Sequence, residues 1–297
     1  HMNIAASKMF EIIPLSKHIG AEIRGIDLNK SVDEATKKAL HQAWLDHIVL
    51  IFCGQTLTQE AHMEATKIFG EPGHVGRPPK HFPEGFKRVL PGIMFISNIR
   101  ENGEPIGALP DGEMMFHHDM IHAPQPHKAT LLYSVQIPDH GGNTCFSNLF
   151  AAYEALPDHL KEKLEGRMAI NAFNYGSRFK GDPEGLARRA QAVHPAIVTH
   201  PDTGKKALYV DRLMTQAIEG MEQDASDALL ADVFDFIERD EFLYDHEWRK
   251  GDLLMWDNRS SIHARRDFPA DQIRLMWRTT LEGESVPHYS PAPGSNL

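Results

Sequence analysis

The chain of 297 residues is short of cysteine, of long apolar runs and of positive charge. Two cysteines, Cys53 and Cys145, are too few for a disulfide framework, which favours a reducing cytoplasm. No apolar run approaches the roughly 20 residues that a membrane-spanning helix needs. A formal net charge of −10 argues against a nucleic-acid-binding face, because phosphate contacts require clustered Lys and Arg. We therefore expect a protein that binds neither membranes nor nucleic acids.

Histidine, by contrast, is abundant, with 18 residues. This abundance makes a metal site worth testing, but it also makes chance histidine motifs common. Hydrophobic residues (41%) and charged residues (24%) occur in the proportions of an ordinary globular protein. No repeat or low-complexity tract divides the sequence, so we predict one domain over residues 1–297.

The order of apolar and turn residues predicts a mainly β fold with flanking helices. We expect a hairpin within residues 10–28 and strands at 49–52, 128–137, 143–147, 168–173, 196–200, 207–211, 243–247, 252–257, 261–265 and 273–282. We expect helices after a Ser31-x-x-Glu34 capping box and at 58–69, 149–155, 157–165 and 224–238. Many short strands separated by turns favour a sandwich or jelly roll over a parallel doubly wound sheet.

Proline and glycine are dense between Gly70 and Gly112, which predicts a segment that is largely loop. Long loops in compact domains are usually functional or mobile. This one leads into the histidine motif described next. We therefore predict that residues 70–115 form a lid over the active site.

The strongest candidate metal motif is His-x-Asp at His117 and Asp119. On a strand, residues i and i+2 point to the same face about 6.6 Å apart, so both side chains can reach one ion. His118 would then point the other way. With the distant His263, the pair would form a 2-His-1-carboxylate set, which leaves coordination positions open on non-haem iron(II).

Two other histidine patterns compete with this motif. His200-x-Asp202 contains Pro201 and is followed by Thr-Gly, which predicts a turn. His62-x-Glu64 lies in a predicted helix, where residues i and i+2 diverge. We predict that neither pattern binds a metal.

Arg274 and Arg278 lie four residues apart on the predicted strand 273–282, so they share a face about 13 Å apart. An arginine on an inner face is costly unless it meets an anion, and its guanidinium fork matches a carboxylate. The alternative is a salt bridge with Asp267 or Asp271 at the rim. We favour anion binding beside the predicted metal site.

Taken together, these motifs resemble the taurine dioxygenase / chlorophenoxyacetate dioxygenase (TauD/TfdA) family of Fe(II)- and 2-oxoglutarate-dependent oxygenases. The resemblance covers nearly the whole chain, and order, spacing and residue type agree together. It rests on Ile19–Leu28, His117-x-Asp119, Gly141-Gly142-Asn143-Thr144, His200-Pro201-x-x-Gly204, Trp256-Asp257-Asn258-Arg259, His263, Arg274 and Arg278. The resemblance implies a double-stranded β-helix, that is, a cupin-like jelly roll.

The resemblance also implies ligands and roles. His117, Asp119 and His263 would hold Fe(2+), while Thr144 and Arg274 would hold the distal carboxylate of the co-substrate 2-oxoglutarate. O2 would be the second co-substrate. The residues implied around the substrate are Arg278, which binds its acidic group or supports the co-substrate, Phe173 in the pocket wall, and His74 as the nearest counterpart of a pocket histidine. Family members often form dimers or tetramers.

One further arginine, Arg212, either binds the substrate's acidic group or lies on the solvated surface. Departures from the taurine enzyme, notably Glu113 and Met114 in place of a substrate-contacting Asn, make taurine a poor candidate. We predict hydroxylation of a small organic acid, followed by cleavage where the carbon carries a heteroatom, with release of succinate and CO2. The alternatives are a taurine dioxygenase-like sulfonate oxidation, a zinc hydrolase on the same three ligands, and a jelly-roll binding protein.

Overall fold

The structure is a computed structural model and describes residues 9–74, 90–107, 113–173 and 189–286. In these residues the strands are β1 (Glu11–Pro14), β2 (Ala21–Arg24), β3 (Val49–Phe52), β4 (Met94–Ser97), β5 (Arg100–Glu101), β6 (Glu104–Pro105), β7 (Met114–His117), β8 (Ala129–Gln136), β9 (Thr144–Asn148), β10 (Met168–Ala172), β11 (Gln191–Pro195), β12 (Ile197–Thr199), β13 (Lys206–Leu208), β14 (Thr215–Ile218), β15 (Leu243–His246), β16 (Leu253–Asp257), β17 (Ser261–Arg265) and β18 (Leu275–Leu281). The helices are α1 (Glu34–His47), α2 (Gln59–Phe69), α3 (Leu149–Ala155), α4 (Asp158–Leu164) and α5 (Gln223–Ile237). Among these described helices, none combines the length and the apolar character needed to cross a membrane.

Two sheets carry the architecture. The larger has the strand order β1-β2-β3-β16-β8-β18-β4, and the smaller has the order β15-β9-β17-β7. Every pairing within them is antiparallel except that of β2 with β3. The sheets meet where Phe146 of β9 packs against Trp256 of β16, with ring centroids 5.2 Å apart. This strand-rich double layer confirms the predicted fold class.

The sequence of β3, Val-Leu-Ile-Phe, shows why the larger sheet is the middle layer. All four side chains are buried. Because successive side chains point to opposite faces, Val49 and Ile51 join the core shared with the smaller sheet, while Leu50 and Phe52 join a second core with α1 and α2. An unbroken apolar run is what a strand covered on both faces requires.

The helices occur where the sequence predicts them, but the start of α1 differs from the prediction. The capping side chain is Asp33, whose carboxylate accepts a hydrogen bond from Thr36 N. The capping box assigned to Ser31 and Glu34 is therefore wrong, because aspartate caps a helix as well as serine does and lies directly before its first residue. The helix predicted at 58–69 is α2, which begins at Gln59 with Thr58 as its capping residue and ends at Phe69 before Gly70.

The predicted loop between Gly70 and Gly112 contains an edge strand, β4, which pairs with β18. Residues 75–89 and 108–112 lie outside the described residues, so the lid remains a prediction. Strands β11 and β14 were not predicted, and the strand expected at 207–211 ends at Leu208. In β11, the apolar Val193 is exposed and the polar His194 is buried, so the sequence carries no pattern of buried apolar residues to read.

Both competing histidine patterns have structural rather than metal-binding surroundings. His200 Nε2 lies 2.7 Å from Asp257 Oδ2, and Asp202 pairs with the buried Arg259. His62 is fully buried in α2, whereas Glu64 forms an exposed ion pair with Lys67. Among the described residues, neither pattern belongs to a cluster that could hold a metal ion.

His62 should make the protein's stability depend on pH. Burial lowers the pKa of His62 from 6.5 to about 4, so the unfolded chain binds its proton first as the pH falls. The contribution of His62 to the free energy of unfolding is therefore fully present above pH 6.5, its pKa in the unfolded chain. It is lost progressively as the pH falls towards about 4, its pKa in the folded protein. Between pH 7 and 4.5, the free energy of unfolding should fall by about 2–3 kcal/mol more in the wild type than in His62→Gln. Urea unfolding at both pH values measures this, and an equal loss in the two proteins would contradict it.

Candidate metal centre and its pocket

Three buried side chains converge where β7 and β17 pair. His263 lies opposite His117 in the register of these strands. The Nε2 atoms of both histidines lie 3.4 Å from Asp119 Oδ1, and the ligand atoms of all three residues lie within 4.8 Å of one another. Asp119 itself lies just after β7, in a turn where Met120 has a φ of +61°, so the prediction that it stands on the strand is wrong. The turn nevertheless brings its carboxylate to the histidines.

Hydrogen bonds fix the orientation of these ligand atoms. His117 Nδ1 lies 2.9 Å from Met115 O, so Nε2 is the ring nitrogen that faces Asp119 Oδ1. Thr130 donates to Asp119 Oδ2 at 2.9 Å and leaves Oδ1 facing the histidines. Asn258 clamps the backbone of Asp119 by accepting from its N–H at 2.9 Å and donating to its carbonyl at 2.8 Å. Sequence reasoning assigned no role to Thr130 or Asn258.

His118, the residue directly after β7, does not belong to the three-ligand cluster, as predicted. Its Nδ1 lies 2.8 Å from Asp211 Oδ2 instead. Asp211 also accepts a hydrogen bond from the backbone N–H of His118 at 3.1 Å. The second histidine of the His-His-Asp sequence thereby anchors the strand to the segment after β13.

The electrostatics of the cluster favour an ionised carboxylate. Burial acts to raise the pKa of Asp119, but the charge of His263, hydrogen bonds from both histidines and the charge of Arg278 outweigh it and hold the pKa well below its usual range. Burial acts to lower the pKa of His117, but its contacts with Asp119 raise that pKa overall. Two imidazoles and one carboxylate around a common point suit a divalent ion such as Fe(II).

A cavity adjoins the three ligands, and an unusual number of positively charged side chains line it. Its lining includes Thr144 and three arginines, Arg265, Arg274 and Arg278. Gly142, two residues before Thr144, has a φ of +70°, which favours glycine, and an added Cβ would lie 3.4 Å from Arg274 Nε. The remaining wall is apolar and includes Ile96, Met114, Leu132 and Trp256.

Arg274 is buried with no carboxylate partner among the described residues. It is 3% exposed, its Nε has no hydrogen-bond partner, and its Nη2 lies 3.5 Å from Gly142 O. Burial, together with the charge of Arg265, lowers the pKa of Arg274 to about 9, which still leaves it cationic at pH 7. The predicted alternative, a rim salt bridge with Asp267 or Asp271, is not what the structure contains. A buried cation that lacks an acid fits a carboxylate-bearing ligand such as 2-oxoglutarate.

Arg278 lies where this cavity meets a second one. The second cavity is lined by His74, Gly92, Met94, Met120, His127, Arg278 and Thr280. Arg278 Nε is buried and makes no hydrogen bond, and Nη2 lies 4.0 Å from Met94 Sδ. The structure therefore places Arg278 and His74, two of the predicted substrate residues, at one cavity.

Two other predicted substrate residues are not brought to these cavities. Arg212 pairs with Asp235 at 2.8 Å and with Glu238 at 2.9 Å, at the surface beside α5. These contacts favour the interpretation of Arg212 as a surface residue over its interpretation as a substrate-binding residue. Phe173 is 40% exposed and packs against His122, with ring centroids 5.0 Å apart.

Comparisons with known proteins agree with this geometry. The family described as taurine catabolism dioxygenase TauD, TfdA family matches residues 11–280. The (S)-phenoxypropionate/alpha-ketoglutarate-dioxygenase of Sphingobium herbicidovorans is 30% identical, over 94% of this chain and 96% of that protein. The alpha-ketoglutarate-dependent sulfate ester dioxygenase of Pseudomonas putida is 31% identical, over 92% of this chain and 90% of that protein. The crystal structure of AAD-2 in complex with Mn(II) and N-oxalylglycine is 27% identical, with a TM-score of 0.75 over 93% of this chain and 98% of that chain.

The match spans almost all of the described residues, from β1 into β18. It includes the three candidate metal ligands and both arginines after them. The comparisons support the dioxygenase prediction and not the zinc hydrolase alternative. The chain belongs to the TauD/TfdA family and is an Fe(II)- and 2-oxoglutarate-dependent dioxygenase with a cupin-like jelly-roll fold.

Proposed function

We propose that this dioxygenase oxidises a small organic acid whose carboxylate pairs with Arg278. The observation that carries the proposal is the buried, unpartnered Nε of Arg278, at the junction of the metal cavity and the second cavity. An arginine in this position is most stable when an anion satisfies its guanidinium. The acid would therefore bind beside the metal with its carboxylate held by Arg278.

The iron and the co-substrate 2-oxoglutarate have their own assigned residues. His117, Asp119 and His263 would hold the iron, and Thr144 and Arg274 would hold the distal carboxylate of 2-oxoglutarate. When bound, the iron with 2-oxoglutarate and O2 would supply the oxidation of a substrate C–H bond, with succinate and CO2 as co-products. The chain itself binds and orients the two acids and keeps water away through apolar side chains, among them Leu132 and Trp256.

The second cavity narrows the substrate class. Two methionines, Met94 and Met120, give it adaptable apolar walls. Burial lowers the pKa of His127 to about 4, so this side chain is a neutral imidazole. No acidic side chain of the described residues lines the cavity, which disfavours substrates with an ammonium group, such as taurine. We therefore favour an acid with an uncharged, largely apolar body, and we keep the carboxylate predicted from the sequence ahead of a sulfonate.

The role of Arg278 is tested by Arg278→Ala. With the best acid found in a succinate-release screen of small carboxylates and their sulfonate counterparts, the variant should raise KM by about 100-fold, because a charge-assisted contact is lost. Arg212→Ala is the matched control, since it removes an equal side chain from a surface ion pair, and it should leave KM unchanged. An unchanged KM in Arg278→Ala would refute the proposed role, and a sulfonate as the best substrate would refute the preferred class.

Location and assembly remain predictions. Both cysteines are free, which suits the reducing cytoplasm predicted from the sequence. We further propose a homo-oligomer, a dimer or a tetramer, which light scattering of the purified protein would measure.

A further inference from the structure

Trp248 contacts both residues to which co-substrate binding is assigned above. It follows β15, where His246 pairs with Thr144 of β9. Its indole Nε1–H donates a hydrogen bond to Thr144 Oγ1 at 2.9 Å, and its ring centroid lies 6.0 Å from Arg274 Cζ. Trp248 is 6% exposed and Thr144 is 3% exposed, so bulk water hardly competes for this hydrogen bond.

The hydrogen bond determines how the Thr144 hydroxyl can be used. A hydroxyl has one proton to donate and two lone pairs that accept. Because Oγ1 accepts from Trp248, the proton is directed elsewhere, and the described residues offer it no recorded acceptor. A carboxylate that enters the cavity is an acceptor only, so it meets a hydroxyl already turned to donate.

Trp248 is itself held in place from behind. Its ring makes an edge contact with His246, with centroids 5.0 Å apart and planes at 85°. His246 Nε2 lies 2.9 Å from Asp252 Oδ2, and His246 Nδ1 lies 2.7 Å from the Tyr244 hydroxyl. Both ring nitrogens of His246 are thus engaged, which fixes the surface against which the indole packs.

Trp248 also helps to fix the buried cation. Arg274 Cζ lies 6.0 Å from the ring centroid of Trp248 and 5.9 Å from that of Phe268. Two aromatic rings near a guanidinium partly offset the cost of its burial and restrict its position. One side chain therefore contacts the hydroxyl and the cation that would meet the same carboxylate.

We propose that Trp248 is a positioning residue for 2-oxoglutarate and acts through the Thr144 hydroxyl. A donor that is oriented in advance does not have to reorganise when the ligand arrives, so the ligand binds more tightly. The proposal rests on the assignment of Thr144 and Arg274 to the co-substrate. It does not depend on the substrate acid or on Arg278, so a failed substrate screen leaves it intact.

The test is calorimetric binding of N-oxalylglycine to Mn(II)-loaded protein, which needs no turnover. Trp248→Phe keeps an aromatic ring beside Arg274 but removes the N–H donor, and it should raise Kd by about tenfold. Trp44→Phe is the matched control, because its indole Nε1 is also buried but has no hydrogen-bond partner, and it should leave Kd unchanged.

A double variant tests whether Trp248 acts through Thr144. Thr144→Val should weaken binding, and adding Trp248→Phe to it should weaken binding no further, whereas Thr144→Ser should keep the wild-type Kd. An unchanged Kd in Trp248→Phe, or a further tenfold loss in the double variant, would overturn the proposal. If Trp248→Phe does not fold, indole N–H spectra of the Zn(II)-loaded wild type replace it. The Trp248 resonance should then shift on ligand binding, and a resonance that stays in place would overturn the proposal.

Discussion

Asp119→Asn should lower the affinity for the metal and the rate of turnover, each by more than about 100-fold. The loss of a residue that only supports a metal ligand costs up to about 100-fold, and the loss of an assigned ligand should cost more. The reason lies in the position of Oδ1, 3.4 Å from the Nε2 atoms of both His117 and His263. An amide has no charge with which to balance a dication held by two neutral imidazoles. Its NH2 group would also face either the histidines or the Thr130 hydroxyl that now donates to Oδ2. Calorimetric titration with Mn(II) and a succinate-release assay measure the two losses.

The second His-x-Asp pattern provides the matched control. Asp202→Asn makes the same chemical change at a carboxylate that pairs with Arg259 and is 38% exposed. It should leave metal affinity and turnover unchanged, with a small loss of stability at most. Stoichiometric metal in Asp119→Asn, or metal loss in Asp202→Asn, would mean that the wrong pattern has been assigned.

The two motifs show what the sequence could predict about the site and why. Proline after His200 predicted a turn, and His118 was correctly predicted not to be one of the ligands. The ligands themselves could be predicted because their residue types are chemically restricted. The residues that orient them are not restricted in this way. Asn258 and Thr130 are ordinary polar residues, and Asn258 reaches Asp119 from 139 residues away.

Charge patterns were a weaker guide than residue chemistry. Arg212 was an open question because nothing near it in sequence paired with it, whereas its partners Asp235 and Glu238 lie on and just after α5. The two acids lie three residues apart at the end of the helix predicted at 224–238, where like charges repel unless a cation lies between them, and this is a signal that could have been read. The fold was predictable where strands are apolar on both faces, as in β3. It was least predictable where a strand such as β11 lies at an exposed edge, because burial then leaves no pattern.

Arg274→Met should have two opposite effects, a loss of 2-oxoglutarate binding and a more stable ligand-free protein. Binding should weaken by more than about 100-fold, because the variant removes a charge-assisted and potentially bidentate contact. The free energy of unfolding should rise by about 1–4 kcal/mol, because a buried charge without an acidic partner is replaced by an apolar side chain of similar volume. The aromatic contacts of Trp248 and Phe268 reduce this gain without reversing it.

Arg259→Met separates this effect from the general effect of losing a buried arginine. Arg259 is 2% exposed, close to the 3% of Arg274, but its guanidinium pairs with Asp257 and Asp202. Its removal leaves Asp257 buried beside His200 and should cost about 3–5 kcal/mol. Urea unfolding of both variants, with and without N-oxalylglycine on Mn(II)-loaded protein, measures the free energy of unfolding in each of the four cases. Ligand should stabilise the wild type but not Arg274→Met. If Arg274→Met is destabilised as much as Arg259→Met, the charge of Arg274 already has a partner within the chain, and the co-substrate assignment fails.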